Sequence, residues 1–271
     1  MSQQVLTAFL LTLFAGLSTG IGSAIAFLAK RTNTAFLSLA LGFSAGVMIY
    51  VSFMELLPSS IQALTEVHGE GRAKLYAVLS FFGGILLILL IDKLIPHNEN
   101  PHEMHRVEEI SQARQTPHKP TAHLLRVGVI TALVLAIHNF PEGMVTFLAG
   151  LKDVSLALPI AIAIAIHNIP EGISVSVPVY YATGNRRRAF WLSFLSGLAE
   201  PAGALIGYLL LAPFLSDNLF GLLFGGIAGI MVFISLDELL PAAEEYGKHH
   251  HAIYGVVLGL AVMAFSLILL N

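Results

Sequence analysis

Two hexapeptides concentrate the reactive side chains of this sequence: His138-Asn139-Phe140-Pro141-Glu142-Gly143 and His167-Asn168-Ile169-Pro170-Glu171-Gly172. In each, an imidazole and a carboxylate stand four residues apart, which puts both on one face of a helix. The chain has no cysteine, and imidazole with carboxylate and no thiolate suits Zn2+, Fe2+, Co2+ and Mn2+ better than Cu+. The asparagines sit one position round, about 100° away, where they reach a second point beyond the carboxylates. Glu200, followed by Pro201, offers a third carboxylate. These seven residues suffice for two neighbouring ions. The histidines serve one, the asparagines and Glu200 the other, and Glu142 and Glu171 are shared. Oxygen and amide ligands also release an ion, which transport demands and a structural site does not.

The elements that must position them follow from composition. Of 271 residues only 11% are Asp, Glu, Lys or Arg, and 56% are hydrophobic, whereas a soluble domain carries about 25% charge. Between clumps of charge lie runs long enough to cross a bilayer, which takes about 20 apolar residues. The expected fold is an all-α polytopic membrane protein of eight spans, at 4–29, 34–61, 74–95, 124–150, 154–181, 189–213, 218–246 and 252–270. The first run has no basic segment before it and is too long for a signal peptide, so it reads as a span. A net charge of −3 without a basic stripe gives nucleic acid nothing to bind. The absence of cysteine rules out disulfides and thiol nucleophiles.

Both hexapeptides fall inside spans. A mid-bilayer carboxylate costs about 2.5–3.5 kcal/mol on insertion scales and faces the bundle interior or a water-filled cavity. Glu200 lies twelve residues from Arg188, about 18 Å along a helix, and His138 lies equally far from Arg126, so the two share a depth. Pro141 and Pro170 each remove an N–H and free the carbonyl four residues back. Such backbone is tolerated in a membrane where it is buried or lines a cavity. Gly143 and Gly172 let neighbouring helices approach. One buried His–Glu pair could be an inert lock between helices. A doubled six-residue pattern on adjacent spans speaks for a site.

Repeats set the architecture. Residues 42–58 (GFSAGVMIYVSFMELLP) and 225–241 (GGIAGIMVFISLDELLP) match at 9 of 17 positions. They fall in spans two and seven, which run in opposite directions, as inverted repeats do. Spans three and eight are more loosely alike, and the hexapeptides make spans four and five an inverted pair. The expected organisation is one transmembrane domain in a 3+2+3 order. Residues 1–95 hold three spans, 96–123 a loop, 124–181 the central pair and 189–271 the last three spans.

Lys and Arg set orientation. Eleven lie on the side of the long loop and three on the other, which puts the loop in the cytoplasm and both termini outside. The loop carries His97, His102, His105, His118 and His123, and His249–His251 follow span seven. Such tracts could take metal from the site or sense its level. Glu55, near the outer end of span two, and Asp237 and Glu238, near the inner end of span seven, read as carboxylates that draw cations into each vestibule. Capping a helix end is an equally simple reading of them.

HNFPEG and HNIPEG, MELLP and DELLP, and the eight-span layout with a histidine-bearing loop resemble the ZIP (Zrt/Irt-like) family of divalent-metal transporters, most closely its bacterial zinc-transporting branch. The resemblance covers essentially the whole chain. It implies metal uptake into the cytoplasm across the plasma (inner) membrane, Zn2+ foremost with Fe2+, Mn2+, Co2+ and Cd2+ in reach, through a binuclear site. His138, Glu142, His167 and Glu171 would ligate the primary ion, and Asn139, Asn168 and Glu200 would complete the second. It also implies external termini, a homodimer, and central helices moving as a block against the others. Besides a membrane receptor that only senses metal, two rivals stand beside it. One is an exporter or exchanger on a similar scaffold. The other is an intramembrane zinc hydrolase, against which counts the lack of an HExxH string with its spare acid.

Overall fold

The computed structural model describes residues 3–28, 34–94, 120–183, 185–246 and 249–270, and among these every regular element is helical. Lipid offers no partner to a peptide group, so a chain this apolar must satisfy its backbone within each span. Span one is Gln3–Leu28. Span two joins Thr34–Val51 to Leu57–His68 through a π-helical turn, Ser52–Leu56. Span three is Glu70–Leu94, span four Pro120–Lys152 and span five Val154–Thr183. Span six comprises Arg186–Gly197 and Ala199–Leu211. Span seven joins Asp217–Ile234 to Leu240–Tyr246 through a second π-helical turn, Ser235–Leu239, and span eight is His249–Leu270. Seven helices among the described residues are long and apolar enough to cross a membrane, and the chain is a multi-pass membrane protein.

The turns are made by the residues their geometry requires. Span two runs past its expected end to His68, and Gly69 alone reverses the chain, with φ 76° and its N–H on Thr65 O at 3.0 Å. That left-handed conformation favours glycine. Asn185 and Ser216 cap spans six and seven, accepting from the N–H groups of Arg188 and Leu219 at 3.1 and 3.2 Å.

The 3+2+3 order describes the chain, while packing in space sorts the spans otherwise. Spans one, four, five and six form one group, and spans two, three, seven and eight the other. Close approach at glycines builds both. In the second group Gly46 lies against Val256 O and Gly229 against Phe81 O, while Gly84 lies against Gly226 O and Gly259 against Phe43 O. Ser38 Oγ donates to Ala243 O at 2.5 Å and Ser60 Oγ to Gly221 O at 2.6 Å. Each of these is one contact seen twice, related by the inverted repeat. They fix the register of spans three and eight as Phe81 with Val256. The π-helical turns fall at matching positions of the repeat, and such turns concentrate at functional sites.

Adjacent glycines in span three test this packing. A side chain at Gly84 would run into the backbone of Gly226, whereas Gly83 has nothing within 4 Å. Gly84→Ala should therefore lose about 1–3 kcal/mol or more, and Gly83→Ala should melt with the parent. Thermal unfolding of the two proteins in detergent decides it, and equal melting would contradict the close approach of spans three and seven.

Candidate metal centre

The hexapeptides lie midway along spans four and five, and the helices continue through Pro141 and Pro170. His138, Asn139, Glu142, His167, Asn168, Glu171 and Glu200 are all buried, none more than 3% exposed. Glu142 stands between the imidazoles: Oε1 is 3.3 Å from His138 Nε2, and Oε2 is 3.2 Å from His167 Nε2. Glu171 Oε1 is 3.1 Å from His138 Nε2 and 3.9 Å from His167 Nε2. Ligands held about 2.0–2.1 Å from a tetrahedral zinc stand roughly 3.3 Å apart. The spacing is thus that of one cation's inner shell, and His138, Glu142 and His167 have ligand atoms all within 4.8 Å of one another.

The remaining predicted residues gather on the side of spans one and six. Asn168 Nδ2 donates to Ala15 O at 2.9 Å and also to Glu200 Oε1. Asn139 Nδ2 donates to Ser196 O at 3.2 Å, one turn before Glu200. With their amide nitrogens bonded to the protein, both asparagines keep a carbonyl oxygen that no protein donor meets, and Glu200 Oε2 is in the same position. Buried acceptors left so are costly, and a cation is the partner that suits acceptors alone. Arg72, Lys74, Lys93, Lys152 and Arg186–Arg188 stand at the ends of spans, so among the described side chains only the two imidazoles face the glutamates as basic groups.

Span one was not part of the site expected from sequence, yet it forms one wall. Gly22 lies against Ile169 O as Gly203 lies against Phe140 O, and Gly172 meets Thr19 O as Gly143 meets Glu200 O. Asn168 bonds Ala15 just as Asn139 bonds Ser196. One pseudo-twofold axis therefore relates span one to span six as it relates span four to span five. A signal existed in the sequence, since residues 15–26 (AGLSTGIGSAIA) and 196–207 (SGLAEPAGALIG) share Gly16/Gly197, Leu17/Leu198, Gly22/Gly203 and Ile25/Ile206.

The other candidates lie apart from the centre. Glu55 is half-buried in the π-helical turn of span two, and Glu238, its repeat counterpart, is partly buried in that of span seven beside the exposed Asp237. All three belong to the second group of spans. His97, His102, His105 and His118 lie outside the described residues.

Comparison with known proteins identifies the family. A family model described as ZIP Zinc transporter matches residues 2–267. The zinc transporter ZupT of Streptococcus mutans is 61% identical over 269 residues, 99% of each chain. That of Lysinibacillus sphaericus is 59% identical over the whole of both chains. That of Nitratidesulfovibrio vulgaris is 60% identical, covering 98% of this chain and 97% of the relative. A doubled buried motif, a repeat that inverts it and likeness running end to end make this chain a member of the ZIP zinc transporter family, a family of transporters and not of enzymes.

Proposed function

We propose that this protein carries divalent metal cations, zinc foremost and Fe2+, Mn2+, Co2+ or Cd2+ as further cargo, into the cytoplasm through a binuclear site between spans four, five and six. The observation that carries the reading is Glu142, which bridges two buried imidazoles at 3.3 and 3.2 Å where a bilayer would otherwise exclude charge. In this site His138, His167, Glu142 and Glu171 strip water from the entering ion. Glu142 and Glu171 then share it with a second station made by Asn139, Asn168 and Glu200. The carboxylates Glu55, Asp237 and Glu238 lie along the route on the opposite group of spans, and the cytoplasmic histidines His97, His102, His105 and His118 receive metal.

Proteoliposomes containing a zinc-sensitive dye test the transport reading directly: purified protein should admit external zinc, and empty-vesicle rates would refute it. Rescue of metal-starved cells by expression supports uptake, whereas rescue of metal-poisoned cells would make the protein an exporter. Glu200→Ala and Asn139→Ala should change the preference among Zn2+, Mn2+ and Cd2+, or the rate, severalfold without abolishing transport, as expected of a second station. Competition between these ions for uptake measures that.

The setting proposed is the plasma (inner) membrane with both termini outside, supported by the eleven-to-three distribution of Lys and Arg. A chain without cysteine makes the check simple: a single cysteine placed at Gln3 should react with an impermeant maleimide on intact cells. The family resemblance also supports a homodimer, which cross-linking in native membranes would detect.

A further inference from the structure

Span one supplies a feature that the two hexapeptides and Glu200 do not account for. The axis that exchanges spans four and five exchanges Thr19 with Glu200, because Ala15/Ser196, Gly16/Gly197, Gly22/Gly203 and Thr19/Glu200 keep one register throughout. Spans one and six cross at Gly16 and Gly197, each lying against the other's carbonyl. Thr19 and Glu200 stand one turn beyond that crossing on opposite sides of the axis. Asn139 and Asn168 are tied to the same crossing through Ser196 O and Ala15 O.

The Thr19 hydroxyl lies at this crossing, beside Gly197. Thr19 is 1% exposed, and its Oγ1 finds no partner in the protein, although serine and threonine in helices readily donate to a carbonyl one turn back. Thr12, Ser23, Ser52 and Thr146 all do so here. A methyl on Gly197 would come within 2.7 Å of Thr19 Oγ1, and Gly197 follows the residue that holds Asn139. Four buried oxygens, Thr19 Oγ1, Asn139 Oδ1, Asn168 Oδ1 and Glu200 Oε2, thus lack a protein partner around one crossing of helices.

We propose that Thr19 is the fourth wall of the second cation station, a neutral oxygen ligand facing the ion from the side opposite Glu200. This rests on the two-station reading above and adds the reason that the station is lopsided. Two divalent ions bring a charge of four, and Glu142, Glu171 and Glu200 supply three. A carboxylate at the mirror position would balance the charge completely, and affinity rises with the number of charged ligands. A hydroxyl there leaves the second ion under-neutralised, so it departs readily. Thr19 is in this sense a residue that sets affinity and release, and neutral oxygen favours harder, more weakly bound ions.

The test uses the full-length protein in detergent, with equilibrium binding of Cd2+ and Zn2+ measured by calorimetry and metal content by mass spectrometry. Thr19→Ser keeps the hydroxyl and should retain both ions with parental affinities. Thr19→Val keeps the shape without the hydroxyl and should weaken the second, looser ion about tenfold while leaving the first unchanged. Thr19→Glu should tighten the second ion and slow turnover in proteoliposomes. Parental binding of both ions by Thr19→Val would overturn the proposal, as would equal damage by Thr19→Ser and Thr19→Val, which would mark a packing role. Glu142→Ala separates the two levels of inference. If it too retains both ions, the site reading itself fails; if it loses them while Thr19→Val does not, only the role of Thr19 fails.

Discussion

Zinc accumulation should fall about 100-fold or more when Glu142 is replaced by alanine, with the protein still present in the membrane. Its two oxygens stand against both imidazoles of the first station, and in the proposed site it also serves the second, so its loss would remove a ligand from each. Even the groups behind a metal ligand are worth about 10–100-fold in affinity, and a shared ligand is worth more. Removing one partner of a buried cluster can itself cost about 3–5 kcal/mol, so thermal stability in detergent is measured beside uptake to separate a lost ligand from a lost fold. Glu171→Ala should behave alike, and Glu142→Gln, which keeps the volume, isolates the charge. Radioactive zinc uptake normalised to membrane-embedded protein is the measurement. Uptake at the parental rate in either alanine variant would sink the site assignment.

Gly143→Ala should be as damaging through a different route. The added methyl would occupy the place of the Glu200 backbone, and a backbone cannot rotate aside as the tip of a side chain can. Overpacking a well-fitted core costs about 1–3 kcal/mol where side chains can adjust, so the loss here should reach about 3 kcal/mol or more. Spans four and six must part, and Glu200 leaves Asn168 with them. Both thermal stability in detergent and zinc uptake should collapse, in contrast to the milder Glu200→Ala. A Gly143→Ala protein that melts and transports normally would refute the contact between these spans.

Much of this was legible in the residues. A chain with so little charge had to be a helical bundle in lipid. The doubled HN-x-PEG pattern marked the residues that gather in one buried cluster and the adjacent pair of spans that carries them, since histidine and glutamate four apart need only a helix to meet. Which spans pack together was not legible, because that depends on contacts between residues more than a hundred positions apart, such as Ser38 with Ala243. The kinship of spans one and six was obscured for a chemical reason: at the position that matters, one copy has Thr19 and the other Glu200, and only four of twelve neighbouring positions agree. The π-helical turns leave no mark of their own in composition. Only the matched Ser52/Ser235 and Glu55/Glu238 hint that something local is repeated there.

The seam between the two groups of spans differs in kind from the seams inside them. Within a group, carbonyls stand where a methyl would have to go, and serine hydroxyls rivet one span to the next. Where span two meets span five, Leu37, Leu41, Ala45 and Met48 join Ala157, Ile160, Ala163 and Ile164 in a single apolar cluster. Water exclusion has no direction, so such a face specifies register less sharply than the hydrogen-bonded seams within each group do. At the end of the second crossing, where span four meets span seven, Lys152 holds Asp217 at 3.1 Å and lies 4.8 Å over the Phe220 ring. An exposed pair of that sort is worth at most about 1 kcal/mol, so water exclusion and not charge holds the two groups together along this seam.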